Sequence, residues 1–300
     1  MNKPHIDPAL GLELVEARTL ESRAESVSVL IPAHNEEATV GQVVQDALSG
    51  LEVLGAPGEV IVSASACTDR TAEVATAAGA VTCEAPTGKG AAIMTGVQAT
   101  TGDVVCLIDG DLQYFGDTPL AALLAKPVLD GLTDVVVSDL YWRPLYPQLW
   151  LHGFFAPLAG ALFPELIPKV GTTPWSGQRA ALRHLWPSDL PTGFTVDLEL
   201  LLHWNRTATR MRPVVADDWV NPQRPKPDLM SHEVEVLVNH AIADGRLAEN
   251  QAITVREWFD TVHGFMAEYD PEADDPQGFE HALLRRSLGE LHRRLACLTG

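Results

Sequence analysis

The chain has 300 residues, of which 46% are apolar, enough to form a core of good size. Its 40 acidic residues outnumber its 21 basic ones, and the formal net charge of −19 argues against nucleic acid or an anionic membrane surface as a partner. No apolar run approaches the ~20 residues that span a bilayer, and residues 1–20 lack the basic-then-apolar order of a secretory signal. We therefore expect a cytoplasmic protein without a membrane span.

Apolar runs that predict β-strands alternate with segments of helical spacing through the first third of the chain. Strands are expected at residues 26–31, 59–62, 80–82 and 104–108, with helices between them. This alternation predicts an α/β fold with a mostly parallel sheet covered by helices on both faces. In such sheets, ligands bind outside the carboxyl ends of the strands. The loops that follow these strands should therefore form the functional site.

The loop after the first strand has the residues of a helix start. Asn35 is a good N-cap residue, and Glu36 and Glu37 would then occupy a first helical turn, where the helix dipole favours acids. The apolar residues from Val40 to Leu48 follow at helical spacing. We expect the first helix to begin immediately after Asn35.

The second half of the chain has a looser pattern. Further strands are expected at residues 134–138 and 211–216, and residues 221–228, with three prolines, indicate an exposed loop. Helices are expected at about 232–245, 252–268 and 277–297. We divide the chain into an N-terminal extension (1–25), an α/β domain (26–230) and a helical C-terminal appendage (231–300), which would serve for packing or for a homodimer.

The strand at 104–108 ends in Asp109-Gly110-Asp111. Residues two apart in an extended chain point to the same side, and Gly110 between the two acids would let a ligand approach the backbone. Two carboxylates at one point suit Mg²⁺ or Mn²⁺. The alternative is that both acids solvate a turn and cap the next helix.

Gly88-Lys89-Gly90 places a cation before a helix at the same edge of the sheet. Lys89 could neutralise a diphosphate, helped by backbone N–H groups at the helix start. A solvated lysine in a flexible turn explains the motif equally well. The spacing of a Walker loop is missing, as is Gly-x-Gly-x-x-Gly after the first strand, which argues against NTPases and dinucleotide oxidoreductases.

Two acids and two cations later in the chain are further candidates. Asp197 or Glu199 could orient an acceptor hydroxyl or take its proton, although an acidic first helical turn explains either residue alone. Arg224 and Lys226 could close over a phosphate, although two surface cations are also ordinary.

Taken together, these motifs resemble family 2-type GT-A glycosyltransferases. The resemblance covers about residues 26–230, and its later part is similar to the glucosyl-3-phosphoglycerate synthase branch. It rests on the runs Ile31–Val40, Thr68–Thr71, Gly88–Gly90, Asp109–Gln113, Val137–Leu145, Phe163–Leu166 and Gly193–Leu202. Asp109–Gln113 and Ser176–Arg179 are also similar to polyprenyl-phosphate sugar synthases.

The resemblance implies a role for each matching residue. The nucleoside would bind at the ends of the first two strands, at Pro32, Ala33, His34, Glu36 and Ser65. The diphosphate and metal would lie further along the same edge, at Lys89, Asp109, Gly110, Asp111 and Arg224. Asp197 would stand where an acid contacts the sugar or the acceptor.

Three positions depart from the family pattern. Ala64 stands where the family has an acid that reads the uracil edge, and Asn221 replaces a histidine that completes the metal site. Asn221 still offers an oxygen ligand. The segment that grips phosphoglycerate has no match in residues 146–155, and an aromatic run from Tyr141 to Phe155 would suit a flat or apolar acceptor or serve in the core.

We expect a glycosyltransferase that depends on Mg²⁺ or Mn²⁺, with Asp111, Asp197 and Glu199 as catalytic residues and Asp109, Asp111 and Asn221 as metal ligands. The resemblance implies transfer from a nucleoside diphosphate sugar, with UDP favoured, to a small-molecule acceptor with retention. Two alternatives are a sugar-1-phosphate nucleotidylyltransferase, whose early Gly-rich loop is missing, and a degenerate sugar-nucleotide-binding protein.

Overall fold

A seven-stranded sheet forms the centre of the protein. The computed structural model describes residues 24–113, 117–139, 151–171, 176–215, 228–270 and 272–296. In chain order the elements are β1 (Val27–Ala33), α1 (Val40–Leu54), β2 (Gly58–Ser65), α2 (Thr71–Ala77), β3 (Val81–Ala85), α3 (Lys89–Ala99), β4 (Val104–Leu107), α4 (Leu120–Leu129), β5 (Val135–Asp139), a π-helical turn (Leu151–Phe155), α5 (Ala156–Leu162), α6 (Ile167–Val170), β6 (Arg179–Leu182), a 3₁₀ turn (Arg183–Leu185), α7 (Val196–Thr207), β7 (Met211–Val215), α8 (Leu229–Ala243), α9 (Glu249–Met266) and α10 (Pro276–Ala296).

The strand order is β3-β2-β1-β4-β6-β5-β7. β6 runs antiparallel to both of its neighbours, and the other paired strands run parallel. The predicted α/β fold with a mostly parallel sheet is confirmed. Because β1 and β4 are adjacent and parallel, the loops that follow them lie side by side at one edge of the sheet.

Both faces of the sheet are buried. Along β1, Val29 and Ile31 belong to one apolar cluster and Leu30 to another, as the two-residue period of a strand requires. Helices α1 and α4 cover the first face, and α5, α7 and the C-terminal helices cover the second. Burial on both sides explains why the strands are continuous apolar runs.

The three helices expected after residue 230 are present as α8, α9 and α10. Val234 and Leu237 of α8 and Trp258 of α9 belong to the same apolar cluster as Leu30 of β1. The C-terminal segment therefore shares a core with one face of the sheet, while the boundary at residue 230 stays a prediction. No helix in the described ranges is long and apolar enough to cross a bilayer.

The start of α1 differs from expectation. The helix begins at Val40, and Asn35 has a left-handed backbone with φ of 56°. Its side-chain oxygen accepts the N–H of Thr68 at 2.7 Å instead of capping the helix. A turn at residues 37–39 precedes the helix instead, because a partner distant in sequence competes with local capping at Asn35.

Candidate functional site

The loops after β1 and β2 are held together by side-chain hydrogen bonds. Thr71 accepts the N–H of Glu36 at 2.8 Å, and Asp69 accepts the N–H of Glu37 at 3.1 Å. Glu37 in turn accepts the N–H of Arg70 at 3.0 Å. These bonds fix the backbone at one end of the carboxyl edge, and Glu36 lies largely buried within them.

Beside them lies a group of residues expected to contact a nucleoside. Pro32 and Ala33 pair with Ser63 and Ala64 in the sheet register. His34 donates from Nδ1 to the carbonyl oxygen of Ser65 at 2.6 Å, which leaves its Nε2 as a hydrogen-bond acceptor. The structure brings Pro32, Ala33, His34 and Ser65 together at the ends of β1 and β2, and their role in binding a nucleoside stays a prediction.

Ser65 connects this group to the Gly-Lys-Gly loop. Its hydroxyl donates to the carbonyl of Pro86 at 2.8 Å and accepts the N–H of Gly88 at 3.2 Å. The side chain of Ser65 therefore has structural partners, and the loop that carries Lys89 begins directly beside it.

Lys89 stands between two carboxylates from distant parts of the chain. Its Nζ donates to Oδ2 of Asp197 at 2.9 Å and lies 3.3 Å from Oδ1 of Asp109. Burial acts to lower the pKa of Lys89, but the two carboxylates outweigh burial and raise its pKa above the ordinary value. The side chain is therefore a permanent cation at the carboxyl edge, which excludes the solvated-lysine alternative.

The side chain of Arg179, at the start of β6, is fully buried behind this cluster. It donates from Nη1 to the carbonyl oxygen of Asp197 at 2.6 Å, and its Nη2 lies 3.5 Å from Oδ1 of the same residue. Burial lowers the pKa of Arg179 and the neighbouring acids oppose that effect. Both oxygens of the Asp197 carboxylate consequently face a cation.

Gln178 holds Asp109 through both ends of its amide. Oε1 accepts the N–H of Asp109 at 3.0 Å, and Nε2 donates to Oδ2 of Asp109 at 3.2 Å. A Cβ on the neighbouring Gly177 would overlap the same carboxylate. The sequence identified this run only as part of a family motif; its one signal was a glycine and two long polar residues before an apolar stretch.

The residues of the acidic turn fit a divalent metal ion in part. Asp111 is half-buried and two residues from Asp109, and carboxylate oxygens are the donors that Mg²⁺ and Mn²⁺ prefer. Across the described part of the chain, no three His, Cys, Asp or Glu side chains converge on one point. The expected third ligand Asn221 and the expected lid residue Arg224 lie outside the described residues.

The three glycines of these loops serve packing. A Cβ on Gly90 would overlap the carbonyl oxygen of Pro191, and one on Gly110 would press on Ala33 at 3.0 Å. The N–H groups of Gly90 and Ala91 donate to the carbonyl of Thr192. These two N–H groups therefore already have an acceptor within the chain, while the expected help of the helix start in binding a diphosphate stays a prediction. A Cβ on Gly88 would also overlap the carbonyl oxygen of Thr192.

Glu199 lies away from the cluster. Its Oε2 accepts a hydrogen bond from Nε2 of His240 in α8 at 2.6 Å. Residues two apart on a helix point about 200° apart, so Asp197 and Glu199 cannot face the same site. The structure leaves Asp197 as the one acid of this pair beside Lys89.

The aromatic run expected either at the acceptor or in the core is described only at its end. Phe154 and Phe155 are fully buried, and Phe154 packs edge-on against Phe259 with 5.7 Å between ring centroids. Both residues serve the core. The other aromatic residues of the run, from Tyr141 to Trp150, lie outside the described residues.

Known proteins are similar to this chain in sequence. The chain is 37% identical over 201 residues to a glucosyl-3-phosphoglycerate synthase of Mycobacterium tuberculosis. That match covers 59% of this chain and 60% of the synthase. It is 36% identical over 97 residues to an undecaprenyl-phosphate 4-deoxy-4-formamido-L-arabinose transferase of Pectobacterium carotovorum, 30% of each chain. The chain thus spans about 60% of the length of the curated synthases that it matches.

A solved structure gives the same result at the level of the fold. The glucosyl-3-phosphoglycerate synthase of M. tuberculosis in complex with Mn²⁺, UDP-glucose and phosphoglyceric acid has a TM-score of 0.60 and 31% identity. That match covers 72% of this chain and 79% of that one. The predicted GT-A type of α/β fold is therefore confirmed.

The family model described as glycosyl transferase family 2 matches residues 28–185, more than half of the chain. This range begins in β1 and includes Lys89, Asp109, Asp111 and Arg179. The chain belongs to glycosyl transferase family 2.

Proposed function

We propose that this protein is a metal-dependent glycosyltransferase that moves a sugar from a nucleoside diphosphate sugar to a small-molecule acceptor. The observation that carries the proposal is the position of Lys89 between Asp109 and Asp197 at the carboxyl edge of the sheet. A synthase of known structure that is 31% identical to this chain binds UDP-glucose with Mn²⁺, which supports the same donor class here. The acceptor, the base and the stereochemistry go beyond the family and belong to this proposal.

The charges at this edge explain why a metal ion is needed. Lys89 and Arg179 supply two positive charges, while Asp109, Asp111 and Asp197 supply three negative ones. A diphosphate would therefore meet a net negative cluster, which like-charge repulsion disfavours. Mg²⁺ or Mn²⁺ held by Asp109 and Asp111 would supply the missing positive charge and stabilise the departing diphosphate.

Lys89 and Gln178 prepare the donor site for that ion. The ammonium of Lys89 has three N–H groups and directs two of them at Asp109 and Asp197. The third remains for an oxygen of the nucleoside diphosphate sugar. Gln178 fixes the direction of the Asp109 carboxylate from the opposite side. Such fixed donors and acceptors bind the transition state without reorganising during the reaction.

Transfer with retention is the stereochemistry that the described residues favour. Inversion needs a carboxylate that takes the proton of the acceptor hydroxyl. The carboxylate of Asp197 is engaged by Lys89 and Arg179, and that of Glu199 by His240. Anomer-resolved NMR of the product tests this assignment, and an inverted product would contradict it.

UDP is the donor nucleotide that we propose. The relatives of known structure bind UDP or UDP-glucose, which supports the same nucleotide here. We assign its nucleoside to Pro32, Ala33, His34 and Ser65, since His34 and Ser65 lie in contact at the ends of β1 and β2. The family match favours glycosyl transfer over nucleotidyl transfer. The other alternative is a degenerate protein, which would bind UDP-glucose in Mn²⁺ without cleaving it. Measuring whether UDP is formed from UDP-glucose therefore distinguishes an active glycosyltransferase from a degenerate binding protein.

The variant Asp111→Ala tests the metal site. We expect it to abolish the Mn²⁺-dependent part of UDP affinity, because it removes one of two carboxylate ligands from a half-buried turn. The free energy of unfolding should change by no more than about 0.5 kcal/mol, since the residue lies outside the core. Isothermal titration calorimetry with UDP, with and without Mn²⁺, measures the first quantity and urea unfolding the second.

The matched control is Asp130→Ala, which removes an exposed aspartate paired with Lys126 at the end of α4. It should leave UDP affinity unchanged. Equal, metal-dependent UDP binding by Asp111→Ala and the unmodified protein would refute the metal site.

A further inference from the structure

A cleft lies between the segment that precedes α7 and the first turns of α8. Its volume is about 490 Å³, within the range of about 300–1,000 Å³ typical of small-molecule sites. One wall consists of Gly193, Phe194 and Thr195, and the opposite wall includes Leu229, His232 and Val236. The cleft is large enough for a sugar-sized molecule.

Residues 191–195, which we call the strap, separate this cleft from the donor side. On one side of the strap, the carbonyl of Thr192 accepts the N–H of Gly90 at 2.9 Å, directly beside Lys89. On its other side, Gly193 to Thr195 line the cleft. Asp197 follows the strap in the first turn of α7 and binds Lys89. The cleft is therefore adjacent to the site proposed for the donor.

The cleft wall is apolar where it is most exposed. Phe194 is 45% exposed, an unusually high fraction for a phenylalanine, and Leu229 and Val236 face it across the cleft. Aromatic and aliphatic walls of this kind bind the apolar faces of ligands, while a few polar groups orient them. Thr195 and His232 are the polar groups that could bond a hydroxyl.

The charges of the cleft are acidic. Among the described residues that line it, none is Lys or Arg, while Asp228 and Glu235 are carboxylates. Glu235 in turn accepts two hydrogen bonds from the guanidinium of Arg256, at 2.6 and 2.8 Å. A phosphate or carboxylate on a ligand would thus be repelled by Asp228 and Glu235, and the described walls supply no lysine or arginine to neutralise its charge.

We infer that this cleft binds the acceptor, and that the acceptor is a hydroxyl-bearing molecule with an apolar face and neither a phosphate nor a carboxylate. The inference rests on the proposed glycosyl transfer and names the acceptor class of that site. It sets the chain apart from the similar synthase that was crystallised with phosphoglyceric acid.

A blocking variant tests the location. Gly193 lines the cleft, and a Cβ there would meet no atom within 4 Å, so Gly193→Leu adds a bulky side chain at the cleft wall without a clash in the fold. Gly264 in α9 is equally open and exposed, which makes Gly264→Leu the matched control. We expect Gly193→Leu to lower kcat/KM for the acceptor at least about tenfold and to leave UDP affinity in Mn²⁺ within about twofold.

An acceptor panel tests the chemistry. Release of UDP from UDP-glucose in Mn²⁺ is measured with methyl β-glucoside and 4-nitrophenyl β-glucoside as neutral probes, and with 3-phosphoglycerate and glycerol 3-phosphate as anionic ones. We expect a neutral probe to accelerate UDP release at least about tenfold more than either anion does, and Gly193→Leu to abolish that acceleration.

Four results would overturn the inference. Preferred use of an anionic acceptor, or no acceleration by any neutral probe, removes the acceptor class while donor binding and the proposed function stand. Full activity of Gly193→Leu with a neutral acceptor removes the location. Absence of any UDP-glucose binding in Mn²⁺ overturns the proposed function itself, and the acceptor assignment with it.

Discussion

Gly177 lies where any side chain would displace the carboxylate of Asp109. We expect Gly177→Ala to weaken UDP binding in Mn²⁺ at least about tenfold, because the new methyl group would overlap an oxygen that Gln178 and Lys89 now orient. Isothermal titration calorimetry measures the affinity. Urea unfolding separates a loss of geometry at the site from a loss of the folded state.

Gly264→Ala in α9 is the control for this substitution, since its methyl group would enter open space. Its UDP affinity should match that of the unmodified protein. If Gly177→Ala binds UDP as tightly as the control does, the orientation of Asp109 is not fixed from this side.

For single residues, the sequence predicts the members of the site better than it predicts which side chains they contact. Lys89, Asp109 and Asp111 are recognisable because each stands at the end of an apolar run or between glycines. The contact between Lys89 and Asp197 joins residues 108 positions apart, and no local spacing encodes it. The sequence equally could not decide between Asp197 and Glu199, because a motif gives the order of residues but not the direction of each side chain.

A single glutamate joins three elements at the back of the sheet. Glu165, between α5 and α6, accepts hydrogen bonds from Asn205 of α7 at 3.0 Å and from Arg246, beyond α8, at 3.1 Å. Partial burial raises the pKa of Glu165, but these hydrogen bonds outweigh burial and lower the pKa to about 2. The carboxylate therefore stabilises the folded state in its charged form.

The pH dependence follows from that direction. Because the folded pKa is depressed, the contribution of Glu165 is complete above its ordinary pKa of 4.5 and is lost as the pH falls from there towards about 2. We expect Glu165→Gln to lower Tm at pH 6, and the difference from the unmodified protein to shrink at pH 3. Circular dichroism melting curves at both pH values measure it.

Glu52→Gln, on the exposed face of α1, is the control for charge removal and should give no such trend. A difference between Glu165→Gln and the unmodified protein that stays constant from pH 6 to pH 3 would contradict the assigned ion pair.

Among the elements, β6 is the one that the sequence does not reveal. Its four residues, Arg179 to Leu182, include two alanines and one charge, a composition with low strand propensity. The strand exists because β4 and β5 provide hydrogen-bonding edges on both of its sides. The expected start of α1 was wrong for a related reason, since the side chain of Asn35 bonds the backbone of Thr68, 33 residues away, instead of capping the helix.

On the scale of the whole molecule, the C-terminal helices and the sheet share one apolar cluster. Leu237 of α8 is fully buried within it, so Leu237→Ala should lower the free energy of unfolding by about 2–5 kcal/mol. Ile253 of α9 is 61% exposed, so Ile253→Ala is the control and should change the free energy of unfolding by no more than about 0.5 kcal/mol. Urea unfolding followed by circular dichroism measures both values.

The same experiment examines the division expected at residue 230. A shared core predicts one cooperative transition for the whole chain. Two separate transitions, with Leu237→Ala shifting only one of them, would instead support an independent helical unit.

The fold class was predictable because it depends on repeated, local signals. Alternating strands and helices recur through the first third of the chain, and each repeat supports the same parallel sheet. The path of the second half was not predictable in the same way, since β6 and β5 enter the sheet out of chain order. These pairings join residues far apart in the chain, so no local spacing encodes them.

The strap limits how this enzyme could be redesigned. Because a side chain at position 90 would collide with the backbone at Pro191, the loop that carries Lys89 and the wall of the cleft cannot change independently. A chimera that takes the Gly-Lys-Gly loop from a relative must take that relative's strap as well. Selection on either side would act on both together, so these two short segments should be inherited as a unit when donor or acceptor preference diverges.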